Sequence, residues 1–217
     1  MNRLTKAQEF LKASGAFPLN YLNSFDEHNE PWDHNKIVAH FSLRHEFIAK
    51  FGFAVITHEV IELLRGYQPL LEIGAGSGYW SYELQQAGID SIATDSNTGK
   101  YYHRFVAGRE DGNWKEKYTN VEVLTARRAI MKYPNRNLLT VWPDYDAPWT
   151  TGMLRAFEGE YVIYVGEGTG GCTGSEKFHE MLETEYNDIA DLTIPQFDGI
   201  HDRLTVFKRK AYQKERR

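Results

Sequence analysis

Leu70-Leu71-Glu72-Ile73-Gly74-Ala75-Gly76-Ser77-Gly78-Tyr79-Trp80 is the stretch whose reading decides the fold. Leu70–Ile73 is short and apolar, as a buried strand is, and Tyr79–Ala87 reads as a helix. The glycines between them let the chain turn sharply and bring bare backbone against a ligand, at the positive end of the following helix. A phosphate-cradling loop needs Gly-Lys followed by Ser or Thr, whereas the one Gly-Lys, Gly99-Lys100, is followed by Tyr101. A dinucleotide fingerprint, G-x-G-x-x-G, needs glycine where Tyr79 stands. What remains is an acid, Glu72, two residues ahead of G-x-G-x-G, with a second acid, Asp95, closing the next strand.

Downstream, strands alternate with helices. Ser91–Thr94, Val121–Leu124, Leu138–Val141 and Tyr161–Val165 read as strands, each followed by a polar or helical stretch. Ala190–Ile194 and Arg203–Lys208 read as a closing pair joined through Pro195-Gln196-Phe197-Asp198-Gly199. The expected fold class is α/β: a doubly wound, mostly parallel sheet of about seven strands, the last antiparallel, with helices on both faces. Upstream, residues 1–66 form an N-terminal helical extension. Thr5–Ala13 and Ile37–Phe51 read as helices around a loop-like stretch, Asn20–His34. Thr57 then caps a helix whose apolar face, Val60, Ile61, Leu63 and Leu64, stops at Gly66. The main domain is expected over 67–210, with a basic tail at 211–217.

Composition bounds the rest. The chain has 217 residues, 41% hydrophobic and 25% charged, which excludes a disordered or collagenous chain. Aromatics are plentiful, at 5 Trp, 13 Tyr and 12 Phe, enough to serve a core and to line a cleft. The single cysteine, Cys172, rules out an intramolecular disulfide and a four-cysteine zinc site. With no secretion signal and no long apolar run, the expected location is cytoplasmic. A net charge of -5 argues against holding nucleic acid by bulk electrostatics.

The glycine turn with Glu72 and Asp95 resembles the class I, Rossmann-like S-adenosylmethionine-dependent methyltransferases, whose first motif commonly reads (D/E)-x-G-x-G-x-G. The resemblance covers Tyr67 to Lys208. It implies S-adenosylmethionine as cofactor, held by Glu72, Gly74, Gly76, Gly78, Tyr79, Asp95, Ala126 and Trp142. Asp95 would accept hydrogen bonds from the ribose hydroxyls, and Glu72 would lie near the methionyl amino group. Many relatives place an acid after the third strand to hold adenine. Here Thr125-Ala126-Arg127-Arg128 follows instead, so backbone and apolar walls must do that work.

On the acceptor side, Trp142-Pro143-Asp144-Tyr145 is similar to the (D/N/S)-P-P-(Y/F) loop of amino-group methyltransferases. Pro143 and Tyr145 align, but Trp142 cannot accept an amine hydrogen bond and Asp144 replaces the second proline. Asp144, Tyr145, Glu167 and His201 are the catalytic candidates, and Phe51 and Phe53 of the lead-in are candidates for a lid. Gly166–Gly174, with five glycines, reads as a loop able to lie against a substrate. His45-Glu46 and His58-Glu59 lack the second histidine of H-E-x-x-H, so no metal is assigned, although Asp and Glu ligand sets leave little trace in a sequence. Arg127, Arg128, Lys132 and Arg136, and the tail from Lys208, are solvated faces or phosphate contacts. Three functions remain open: methylation of an acceptor, a small molecule being favoured; methylation of a nucleobase amine; or a non-catalytic cofactor-binding module serving a partner protein.

Overall fold

The computed structural model describes residues 4–15, 34–96, 117–197 and 199–210. Its centre is β1 (Leu70–Ile73), buried at every position. Near-continuous apolar strands of this kind belong in parallel sheets covered on both faces. β1 pairs in parallel with β2 (Ser91–Asp95) on one side and with β4 (Asn137–Val141) on the other. β3 (Val121–Val123) lies beyond β2, and β5 (Tyr161–Gly166) beyond β4, both parallel to their neighbours. β7 (Arg203–Arg209) then runs antiparallel to β5, and β6 (Tyr186–Thr193) pairs antiparallel with β7 at the edge. The order is therefore β3-β2-β1-β4-β5-β7-β6. The expected sheet, with its last strand reversed, is the one observed.

β6 begins at Tyr186, four residues ahead of the apolar stretch Ala190–Ile194 that marks it in the sequence. After Tyr186 its first residues, Asn187, Asp188 and Ile189, are all exposed, because β6 is the edge strand and a bulge between Asp188 and Ala190 breaks its alternation.

Alternate residues of each strand point to opposite faces, and two cores result. Leu70, Leu139 and Ile163 belong to one, packed with α1 (Lys6–Ala13), α2 (His34–Phe51), α3 (His58–Arg65) and α4 (Tyr79–Gln86). Leu71, Leu138 and Val162 belong to the other, under α5 (Ala126–Lys132), α6 (Pro148–Ala156) and α7 (Glu176–Glu185). The helical lead-in thus fills one face of the sheet. Thr5 caps α1 in a reciprocal box with Gln8, and its hydroxyl donates to the Ile56 carbonyl at 2.9 Å. The Ala7 N–H donates to the Tyr79 hydroxyl at 2.8 Å, and that hydroxyl donates to Glu83 at 2.9 Å. Thr57 caps α3 as its position implies, accepting from the Val60 N–H. No helix among the described residues is long and apolar enough to cross a membrane.

Gly78 caps α4 in the left-handed region, at φ 74°. A Cβ there would come within 2.7 Å of Val121 Cγ2 and 2.9 Å of Thr119 Cγ2, so this glycine lets α4 pack against β3 and its approach. Gly78→Ala is expected to destabilise the protein by roughly 1–3 kcal/mol through steric conflict and backbone strain together, read as a lower urea midpoint. An unchanged midpoint contradicts that role.

Candidate functional site

A cavity of about 470 Å³ opens over the carboxyl ends of β1, β2 and β4, where open α/β sheets bind ligands. Its floor is the glycine turn. Gly74 and Gly76 have φ of 76° and 55°, a conformation that costs glycine little. The Gly74 and Ala75 N–H groups both donate to the Thr94 carbonyl at 3.0 Å, and the Gly76 N–H donates to Asp95 Oδ2 at 2.9 Å. The turn is thereby fastened to the end of β2, and Asp95 lines the same cavity. A Cβ on Gly74 would meet the Trp149 ring at 3.3 Å, so the bare backbone also admits that indole.

Glu72 is 2% exposed. Its Oε2 accepts from the Ser81 N–H at 3.0 Å and from the Ser81 hydroxyl at 2.5 Å, which links β1 to α4. Burial pushes its carboxyl up to about 7, with the nearby Asp95 charge adding to the rise and the two Ser81 donors opposing it. Leu124, Thr125, Ala126 and Trp149 line the β3 side of the cavity, and Phe51, Gly52 and Phe53 from the end of α2 line another wall.

Trp142, the residue after β4, is a non-glycine residue at φ 49°, a conformation that costs roughly 1–3 kcal/mol and persists only where its surroundings hold it. Here they do. The indole N–H donates to Asp202 Oδ2 at 2.8 Å, and Phe53 stacks on the ring at 4.8 Å between centroids and 11° between planes. Beyond it, the Pro143 carbonyl accepts from the Gly174 N–H at 3.1 Å, and the Asp146 N–H donates to the Gly174 carbonyl at 3.0 Å. Asp144 lines the cavity half-buried, and Tyr145 stands at the mouth, 74% exposed.

Of the residues singled out in the sequence, Glu72, Gly74, Gly76, Tyr79, Asp95, Ala126, Trp142, Asp144 and Tyr145 meet at this cavity. Three do not. Gly78 faces β3, as described above. Glu167 is buried and occupied by backbone, its two oxygens accepting from the Cys172 N–H at 2.7 Å and the His201 N–H at 2.8 Å. Burial raises its carboxyl, but those donors and the adjacent His201 outweigh burial and leave it below the usual range. The His201 ring projects outward, 74% exposed, with Nδ1 at 3.8 Å from Glu167. The glycine loop, read in the sequence as able to lie against a substrate, braces the β4 loop through Gly174. Cys172 is exposed, and partial burial together with the nearby Glu167 pushes its thiol up.

Most of the basic residues in view are already partnered. Lys132 pairs with Glu122 at 2.5 Å, Arg136 with Asp90 at 2.8 Å, and Lys208 with Glu160 at 3.0 Å. Arg209 reaches the Phe157 carbonyl and the Tyr186 hydroxyl, and Lys210 the Glu183 and Thr184 carbonyls. Arg127 and Arg128 are exposed on α5, and the tail 211–217 lies outside the described residues.

The sheet order, with a single reversed strand set between β5 and β6, decides the architecture. The fold is a Rossmann-like, doubly wound α/β fold. No family model and no curated protein matches the sequence. Solved structures with a similar fold include magnesium protoporphyrin IX methyltransferase from Synechocystis PCC 6803 with bound S-adenosylmethionine, 10% identical over 94% of this chain and 95% of that one, TM-score 0.46. An S-adenosylmethionine-dependent methyltransferase from Anabaena variabilis is 12% identical over 80% and 95%, TM-score 0.45. TrmN from Thermus thermophilus is 13% identical over 77% and 53%, TM-score 0.43.

The Glu72 carboxyl gives a pH prediction. A carboxyl raised from 4.5 to about 7 contributes stability that is complete below the lower value and is lost as pH rises through the upper one. Glu72→Gln removes that loss while its amide oxygen still accepts from Ser81. Between pH 5 and pH 8 the variant should therefore gain stability over the parent, on the order of 3 kcal/mol for a shift of this size. Parallel urea-unfolding curves for the two proteins across that range contradict the assignment.

Proposed function

We propose that the protein transfers the methyl group of S-adenosylmethionine to an acceptor, and that the acceptor is a small molecule. The observation that carries the reading is the shared cavity. Asp95 and the glycine turn form one end of it, and the Trp142–Tyr145 loop forms the other. Its volume lies in the range of small-molecule sites. The residues suit the cofactor: Leu124, Ala126 and Trp149 make apolar walls for a base, Asp95 supplies a carboxylate for ribose hydroxyls, and Glu72 lies under the turn.

Across the order β3-β2-β1-β4, adenine would lie by Ala126, ribose by Asp95, the methionyl part by Gly74–Gly76, and the methyl end toward Trp142 and Asp144. Bound there, S-adenosylmethionine supplies a methyl group already activated by its sulfonium charge. The chain's own work is alignment and exclusion of water. The turn and Asp95 hold the donor, while Phe51, Phe53 and Trp142 keep that end apolar. Asp144 offers a carboxylate that orients the acceptor and takes its proton.

Two features weigh against a nucleobase amine. The Pro143 carbonyl, which accepts the target amine in the resembling loop, already accepts one hydrogen bond from the Gly174 N–H, so an amine there would share it. Among the described residues of the two basic clusters, Lys132, Arg136 and Lys208 are paired with acids, and Arg209 and Lys210 with carbonyls, which leaves Arg127 and Arg128 to meet phosphate. The third reading, a cofactor-binding module without chemistry, predicts tight donor binding and no transfer.

Asp95→Ala should weaken binding of S-adenosylmethionine by ~1–3 kcal/mol in calorimetry, the loss of a charged hydrogen-bond partner. Parent affinity in a folded variant removes Asp95 from the site. In single turnover with methyl-labelled donor and fractionated cell extract, label should pass to the small-molecule fraction. Label in the nucleic-acid fraction contradicts the proposed acceptor class, and no label in any fraction favours the non-catalytic module.

A further inference from the structure

Asp202 lies at the turn into β7, 2% exposed and sixty residues from Trp142, whose indole N–H it accepts at 2.8 Å. It does not line the cavity, but Trp142 does. Its surroundings fix it closely. Gln196 Nε2 donates to the Asp202 carbonyl at 2.6 Å. The preceding N–H, of His201, is held by Glu167, which is itself held by the Cys172 N–H and anchored through its own N–H to the Thr173 hydroxyl at 2.8 Å. The second Asp202 oxygen, Oδ1, is buried with no hydrogen-bond partner among the described residues.

A buried acceptor left unpaired is costly, and native proteins keep such groups where they serve a purpose. Here the other oxygen secures an indole whose backbone sits in the left-handed region and whose ring carries the Phe53 stack. Burial also pushes the Asp202 carboxyl up to about 7, against the Trp142 donor and with the Glu167 charge adding to the rise, while Arg44 opposes it. A carboxyl raised in this way spends part of its time protonated, which lowers the cost of the orphaned oxygen.

We propose that Asp202 is a positioning residue: by holding the Trp142 indole against Phe53, it fixes the cavity wall at the end where the methyl group is passed on. The inference rests on the donor reading above. Trp142 and Phe53 belong to chain segments far apart in sequence, and the pair lines the cavity as one surface. Adenine and ribose contacts, by Ala126 and Asp95, lie two strands and one strand away from β1 and further still from β4. Releasing the indole should therefore disturb the methyl end of the site and spare the nucleoside end.

The test uses the full chain and three variants, Asp202→Ala, Asp202→Asn and Trp142→Phe, with S-adenosylmethionine and S-adenosylhomocysteine as probes. Trp142 emission is taken as the difference between the parent and Trp142→Phe. Asp202→Ala should shift that emission to longer wavelength and lower the affinity for S-adenosylmethionine relative to S-adenosylhomocysteine by about fourfold, the worth of one buried methyl group. Affinity for S-adenosylhomocysteine should stay within about twofold, a change too small for a lost contact. Asp202→Asn, whose amide oxygen still accepts the indole N–H, should restore both readings. Trp142→Phe should lower the affinity ratio as Asp202→Ala does, and it carries the test alone if Asp202→Ala does not fold. A parent that binds both probes, with ratio and emission unchanged in Asp202→Ala or ratio unchanged in Trp142→Phe, overturns the positioning role alone. A parent that binds neither probe overturns the donor reading and this inference with it.

Discussion

The hydrogen bond from the Gly76 N–H to Asp95 is the constraint on which the site depends. It joins the turn after β1 to the end of β2, so two neighbouring parallel strands deliver one continuous surface. The turn aims that N–H at the carboxylate with Gly74 and Gly76 in left-handed dihedrals, which glycine adopts at little cost, and this is why glycine recurs there. The same carboxylate then borders the cavity, so its placement is settled by the fold before any ligand arrives. Preorganisation of this kind lowers the cost of ordering a polar group on binding.

Around that bond, buried carboxylates hold loops and side chains in place. Glu72 fastens β1 to α4, Glu167 gathers the turns at Cys172 and His201, and Asp202 secures Trp142. Each of these carboxylates is buried, and burial disfavours its charge. Glu167, with two backbone donors and His201 nearby, remains below the ordinary range, while Glu72 and Asp202 rise to about 7. Donors and nearby charge separate the groups that hold loops together as anions from those whose charge state changes near neutral pH.

The sheet was legible in the sequence because its strands are short apolar runs set between turn signals, and the glycine turn was legible because its spacing excluded two other loop types. The start of β6 was hidden by its polar, solvent-facing residues. Gly78 belonged to the motif on paper, yet its lack of a side chain serves contact with Val121 and Thr119, a demand that arises only once α4 lies on β3. Glu167 and His201 stood near the right strand ends in sequence order. Which way such residues face depends on loop packing, and the Gly166–Gly174 loop folds back onto Pro143 and Asp146. The Trp142–Asp202 bond and the Phe53 stack join segments sixty and eighty-nine residues apart, and nothing local in the chain announces either.

A crystal structure of the protein grown with S-adenosylhomocysteine tests the central claim most directly. The account places the ribose hydroxyls on Asp95, the adenine against Leu124, Ala126 and Trp149, and the sulfur facing Trp142 and Asp144 across the glycine turn. Clear density for that ligand elsewhere, or a cavity that takes a pyridine dinucleotide in its place, contradicts it.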